Sequence, residues 1–257
     1  RMRLENKVAL VTSCRSSLCV EIAQRLAAAG AKVMICGRSA PQGRETVRQI
    51  QRCGGRASFV LADVGVLVDV QAAIDETIAT YGRLDILLNH ISGDYAQDSE
   101  LADVSESTWE RIVESALKGT FFCCQYALPF LQQSSGTIIN VVRQSSALRF
   151  SAVTTICQGG VAAMTSAIAQ QYTVQSVTAN MIWVKPFNSP KFNVEPLAGK
   201  VAHVPEPIRP AAVSTEATSP ALPVISSDFA DAATAVLYLA SRSSTIQGSM
   251  LVVSESR

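Results

Sequence analysis

Only two histidines occur in the 257 residues, His90 and His203. That scarcity excludes a multi-histidine metal site, and a Ser-His hydrolase would have to use one of the two. His90 is a candidate general base, with a hydrogen-bonded turn histidine as the alternative reading. The seven cysteines are Cys14, Cys19, Cys36, Cys53, Cys123, Cys124 and Cys157. Their number is odd and no C-x-x-C pair occurs, so they read as reduced, partly buried thiols and point to a cytoplasmic home. No metal site is expected.

Composition narrows the partners. Lys+Arg minus Asp+Glu is 22 − 21 = +1, which gives no support for a nucleic-acid or anionic-membrane partner. Apolar residues are 48% and charged residues 17%, ample for a core. No uninterrupted apolar run approaches a membrane span. No charged n-region followed by an apolar h-region marks a signal peptide, and Arg1 before Met2 suggests a tag remnant.

Any chemistry must be positioned by alternating strands and helices. Apolar runs at 7–12, 32–36, 58–61, 84–88, 137–142, 178–184 and 250–253 read as strands. Helical patterns follow with Val20, Ala23, Leu26 and Ala27 on one face (stopped at Gly30), then at about 41–53, 66–81, 107–132 and 158–173. The 107–132 helix has Ser105 or Ser107 as its cap, and a last helix begins near Asp228. Strands buried on both faces and separated by helices imply parallel βαβ units in one doubly wound α/β domain over 1–257. Residues 185–225 hold eight of the ten prolines and read as a surface excursion, a lid or a partner-docking arm.

Several segments resemble the short-chain dehydrogenase/reductase family. Leu4–Thr12 resembles its first strand, Cys36-Gly37-Arg38 the end of the second, and Ala62-Asp63-Val64 the end of the third. Tyr81–Asn89 leads into the family's Asn-Asn-Ala-Gly turn, here Asn89-His90-Ile91-Ser92-Gly93. Trp109–Phe122 resembles the long interface helix, Gly136–Asn140 the fifth strand, and Ala240-Ser241 with Ile246-Gln247-Gly248 the C-terminal end. The resemblance implies a single doubly wound Rossmann fold with a seven-stranded parallel sheet flanked by helices.

It also implies sites, and here the chain departs from the pattern. The family binds NAD(P) with Thr-Gly-x-x-x-Gly-x-Gly, whose glycines permit a tight turn and close approach to pyrophosphate. This chain has Ser13, Ser17 and Cys19 in their places, where a Cβ would intrude on the pyrophosphate or force positive φ. The family's catalytic Asn, Ser, Tyr and Lys align with Ala116, Arg143, Thr154 and Gln158, and no Tyr-x-x-x-Lys occurs anywhere. The Pro-Gly after strand six aligns with Val184-Lys185. Arg38, Asp63 and Asn89 match the outer cofactor rim, Arg38 where NADP-preferring members meet the 2′-phosphate.

These departures imply that catalytic residues are absent, and that NADP is at most a weak residual ligand. The first expectation is a non-catalytic subunit that pairs with an active paralogue, or with itself, through helices 107–132 and 158–173. The apolar stripes there are Ile112, Ala116, Phe121 and Cys124, and Val161, Met164 and Ile168. Hetero-oligomers occur in the family, including in anaerobic degradation of aromatic succinates. The second is a repurposed cyclase, isomerase or lyase using His90, Asp94, Tyr95, Arg143, Trp183 or Lys185, with Arg143 stabilising an enolate. A ligand or nucleotide sensor and an atypical NADP reductase complete the set.

Overall fold

The computed structural model describes residues 4–92, 101–143, 152–172, 176–185, 224–226, 231–241 and 246–254. Strands β1 (Val8–Thr12), β2 (Lys32–Gly37), β3 (Arg56–Leu61), β4 (Ile86–Ser92), β5 (Thr137–Arg143), β6 (Thr178–Lys185), β7 (Val224–Ser226) and β8 (Met250–Ser254) form one sheet in the order β3-β2-β1-β4-β5-β6-β8-β7. All pairings are parallel. The order runs outward from β1 in one direction and restarts at β4 in the other, so the crevice between β1 and β4 is the topological switch point.

Seven of these strands match the expected apolar runs. The eighth, β7, lies in the proline-rich segment read as loop. Three residues pair with Met250–Val252 at the sheet edge, while 186–223 lie outside the described residues. Strand β4 also runs further than expected. Asn89, His90, Ile91 and Ser92 pair in register with Asn140, Val141, Val142 and Arg143, so the stretch read as a turn is strand.

Strand residues alternate between two cores. Ala9, Val11, Val33, Ile35, Ile86 and Leu88 pack with α1 (Ser17–Ala28) and α7 (Ala232–Ala240). Leu10, Met34, Cys36, Leu87 and Ile138 pack on the opposite face with α3 (Leu67–Tyr81), α5 (Gly119–Ser134) and α6 (Ala152–Gln171). This explains the unbroken apolar runs: each face of the sheet has its own helix layer. The remaining helix of the first half, α2 (Ala40–Arg52), sets Gly43 against the Phe59 ring of β3.

Local chemistry sets the helix ends. Gly30, with φ +103°, ends α1, as its residue type suggests. Asp231 caps α7 by accepting from the Thr234 amide at 2.7 Å, three residues beyond the start read near Asp228. The 107–132 helix resolves into α4 (Glu106–Val113), a π-helical turn (Glu114–Lys118) and α5, entered at the cap Ser105. Helix α6 begins six residues before the expected 158. The Gly159-Gly160 pair weakens its sequence signal, yet Gly160 is where Leu117 packs: a Cβ there would lie 2.8 Å from Leu117 Cδ1. Alone among the described helices, α6 has the length and apolarity of a membrane crossing; half of it is buried inside the fold, as in a core helix.

The expected association stripes take a different place. Ile112, Ala116, Cys124, Val161 and Ile168 are buried in this chain's own core, and Met164 is partly buried against it. Of that set only Phe121 is exposed. The periodicity was that of inward faces, which sequence alone does not separate from outward ones.

At the N-terminal end of the sheet, buried Asp85 accepts from Lys7 Nζ (2.7 Å), Arg83 Nε (2.8 Å) and Nη2 (2.7 Å), and the Val8 amide (3.0 Å). Burial alone would raise its pKa, but the Arg83, Lys7 and Val8 donors outweigh that and hold it below the ordinary carboxylate value. A depressed carboxylate contributes stability that is complete above the unfolded pKa, about 4, and is lost as pH falls through the folded value. Asp85→Asn should therefore cost about 1–3 kcal/mol at neutral pH. It should also flatten the loss of stability below about pH 4 in urea unfolding followed across pH. A second prediction concerns Gly119, where an added Cβ would lie 2.7 Å from the Val64 carbonyl oxygen. Gly119→Ala should lower stability by about 1–3 kcal/mol in the same assay.

Candidate functional site

The C-terminal ends of β1 and β4 bracket the switch point. After Thr12 the chain turns through Ser13 at φ +55° and enters α1 with Ser16 as N-cap (φ −86°, ψ 156°). Of the three positions where the resemblance expects glycine, only Ser13 adopts positive φ. Ser17 and Cys19 lie within α1, the first exposed and the second fully buried, so neither backbone is strained as expected. The helix simply begins at Ser17, and helical φ suits any side chain.

The N-terminus of α1 is closed by side chains. Ser16 Oγ accepts from the Cys19 amide (3.2 Å) and lies 3.1 Å from His90 Nε2. His90 is 3% exposed and reaches this contact from the end of β4. The contact is made at the N-cap of α1, the helix end where backbone amides ordinarily face an anion. Composition drew attention to His90, but its serine partner went unread. The signal was present: a Ser-Ser pair directly before an apolar-periodic segment marks an N-cap.

Beneath this contact runs a buried polar chain that the sequence reading missed. Thr12 Oγ1 donates to Asn89 Oδ1 (3.2 Å), Asn89 Nδ2 to Asn140 Oδ1 (2.9 Å), and Asn140 Nδ2 to Thr165 Oγ1 (2.9 Å). Thr165 in turn donates to the Val161 carbonyl (2.7 Å), and Asn89 Nδ2 also meets Cys124 Sγ (3.4 Å). Asn89, a rim candidate, thus commits its amide inside the sheet. Asparagines in otherwise apolar strands were the available clue.

Arg38 and Asp63 stand at the ends of β2 and β3. Arg38 Nη1 lies 3.4 Å from Asp63 Oδ2, with 55% and 33% of the side chains exposed. Asp63 Oδ1 accepts from the Gly65 amide (2.9 Å), which fixes its turn. This pair is screened and contributes little to stability, but it presents a guanidinium beside the crevice.

Three of the four positions aligned with a catalytic tetrad are buried. Ala116 lies in the π-turn and is buried. Thr154 and Gln158 sit one turn apart on α6, each 4% exposed. Arg143 ends β5, half-buried, in register with Ser92 and Val184. Lys185 ends β6 one residue further, and Trp183 packs against the core formed by Ile91, Ile112 and Met181. Asp94, Tyr95 and His203 lie outside the described residues.

Most thiols are withdrawn from chemistry. Six of the seven cysteines are buried and Cys53 is exposed. Burial pushes Cys36 and Cys124 up to about 12 and raises Cys19, so these sulfurs stay protonated. Cavities lie elsewhere among the described residues: about 820 Å³ beside Arg44, Arg48, Ser58 and Glu76 over α2 and β3, about 430 Å³ beside Gln24 and Gln49, and about 330 Å³ at the opposite sheet end beside Asp85 and Thr178.

A family model described as short chain dehydrogenase matches residues 7–195. A 3beta-hydroxysteroid dehydrogenase of Mediterraneibacter gnavus is 29% identical over 70% of this chain, and the match spans 66% of that protein's length. The (2S)-[(R)-hydroxy(phenyl)methyl]succinyl-CoA dehydrogenase subunit BbsD of Thauera aromatica is 30% identical over 70% of this chain and 73% of its own. Among solved structures, a short-chain dehydrogenase/reductase from Burkholderia xenovorans superposes with TM-score 0.75 at 25% identity, covering 98% of this chain and 96% of that one. A variant actinorhodin polyketide ketoreductase with NADPH gives TM-score 0.65 at 25% identity over 72% of each chain.

The strained serine yields a prediction. Ser13→Gly should raise stability by about 0.5–1 kcal/mol, since glycine adopts positive φ without the Cβ penalty. The check is the urea midpoint at unchanged m-value.

Proposed function

Because the chain belongs to the short-chain dehydrogenase family, with oxidoreductases among its relatives, we propose that its departures from the family pattern define its role: it does not transfer hydride alone, and serves as a non-catalytic subunit beside an active dehydrogenase or reductase of the same family. The observation that carries this reading is the pair Thr154 and Gln158, buried one turn apart where a Tyr-Lys couple would stand. Neither side chain ionises near neutral pH, so neither supplies a general acid or tunes one.

The cofactor side points the same way. NAD(P) is the group the family implies, and the structure offers it a poor cradle. Ser16, the N-cap of α1, lies against His90 and already occupies the Cys19 amide. Arg38 and Asp63 remain as a rim that could hold the 2′-phosphate end of NADP weakly, while the Asn89 amide is spent within the sheet.

The surface for a partner subunit is the outer side of α4, α5 and α6, where Trp109, Phe121 and Ile156 are 42%, 48% and 46% exposed. These replace the inward stripes as the apolar contribution to association. That a relative is itself named as a dehydrogenase subunit fits this arrangement.

Titration with NADPH and NADH, read by Trp109 and Trp183 fluorescence and by calorimetry, should show no saturation up to about 1 mM. Micromolar binding accompanied by NADPH-dependent turnover would overturn the proposal. Co-expression with an active family member should give a stable complex that Phe121→Glu weakens while leaving the melting temperature of the isolated chain unchanged.

A further inference from the structure

From the geometry at the switch point we infer that Ser16 and His90 form a nucleophile–base pair that accepts and releases an acyl group, giving this chain an esterase activity toward small activated carboxylic esters. The inference rests on the proposed absence of dinucleotide from the crevice, because the pair lies at the α1 N-terminus, the helix end at which the fold ordinarily receives a pyrophosphate. It goes beyond that reading by assigning the vacated crevice a chemistry of its own.

Three features converge. The first is the hydrogen bond itself. Ser16 Oγ lies 3.1 Å from His90 Nε2, within reach for proton transfer. The same oxygen accepts from the Cys19 amide, and in the imidazole tautomer protonated on Nδ1 it donates its own proton to His90 Nε2. A capping serine needs only its backbone partner; the histidine is an addition.

The second is position. Ser16 stands at a strand–turn–helix junction, between β1 and α1, at the C-terminal edge of the sheet where β1 and β4 diverge. A nucleophile at such a junction is presented outward while the strand behind it is fixed. Ser16 is partly buried and His90 is 3% exposed, so the nucleophile stands nearer the surface and its base is shielded from water.

The third is charge stabilisation. Ser17 and Leu18 occupy the first turn of α1, and their amides have no acceptor among the described residues. They are oriented, with the helix dipole, toward negative charge developing beside Ser16.

The reaction balances without a cofactor. Ser16 Oγ adds to the ester carbonyl while its proton passes to His90 Nε2, and the Ser17 and Leu18 amides face the oxyanion. The carbon–oxygen bond to the alcohol breaks, and His90 returns the proton to the departing alkoxide. Water then gives a proton to His90 and its hydroxide to the acyl carbon. The Oγ–acyl bond breaks, Ser16 recovers the proton, and carboxylic acid is released.

The test uses the purified chain and a fluorophosphonate probe, which joins phosphorus to an activated serine with loss of fluoride. A single adduct on the peptide containing Ser16, and p-nitrophenyl acetate turnover above buffer, are expected. Ser16→Asp keeps a helix-capping oxygen and should fold normally by circular dichroism, yet lose both adduct and turnover. His90→Gln should slow labelling about 100-fold or more; should that variant not fold, Ser16→Asp decides. No adduct on the wild-type chain, or undiminished labelling in Ser16→Asp, would overturn the inference. Micromolar NADPH binding accompanied by NADPH-dependent turnover would overturn the non-redox reading on which the inference rests, and it is measured separately from the adduct.

Discussion

Two buried asparagines hold the architecture of the crevice in place. Asn89 and Asn140 sit side by side in β4 and β5, each 1% exposed or less. A buried amide left without partners costs about 1–3 kcal/mol. The chain Thr12–Asn89–Asn140–Thr165 satisfies them only if β1, β4 and β5 keep their register and α6 lies with Thr165 against the sheet. A slip of one residue would turn both amides into the opposite, apolar layer. The Ser16–His90 contact stands directly on this arrangement, since His90 follows Asn89 and Ser16 follows the turn after Thr12.

The two faces of the site are thus of different kinds. Below, a polar network with partners throughout gives rigidity. Above, side chains meet over a helix N-terminus that elsewhere in such folds is built from glycine. A serine at φ +55° tolerates backbone strain at Ser13 rather than relieving it. The helix then starts with its own cap and with two amides still facing outward.

The sequence made the fold legible because each apolar run had a single reading. Strands such as Lys7–Thr12 are too short for helices and too apolar for loops, and they recur between amphipathic stretches. Directions were harder. The stripe through Ile112, Ala116 and Cys124 is periodic whether it faces the core or a partner, and only packing shows that it faces inward. Strand β7 was hidden because three residues among prolines carry no period. At the site, the glycine replacements and the absent Tyr-Lys couple were readable as residue types. The hydrogen bond between Ser16 and His90 was not, because it joins positions 74 apart that only the β1–β4 pairing brings together.

The distribution of sulfur has a practical corollary. Six thiols face apolar packing, and burial keeps several of them neutral, whereas Cys53 ends α2 in the open. Toward solvent a chain with seven cysteines therefore behaves as if it had one. Under air, oxidation would join two copies tail to tail through α2, far from the crevice. The same residue provides a single attachment point for a dye or spin label, reporting on assembly without disturbing the sheet.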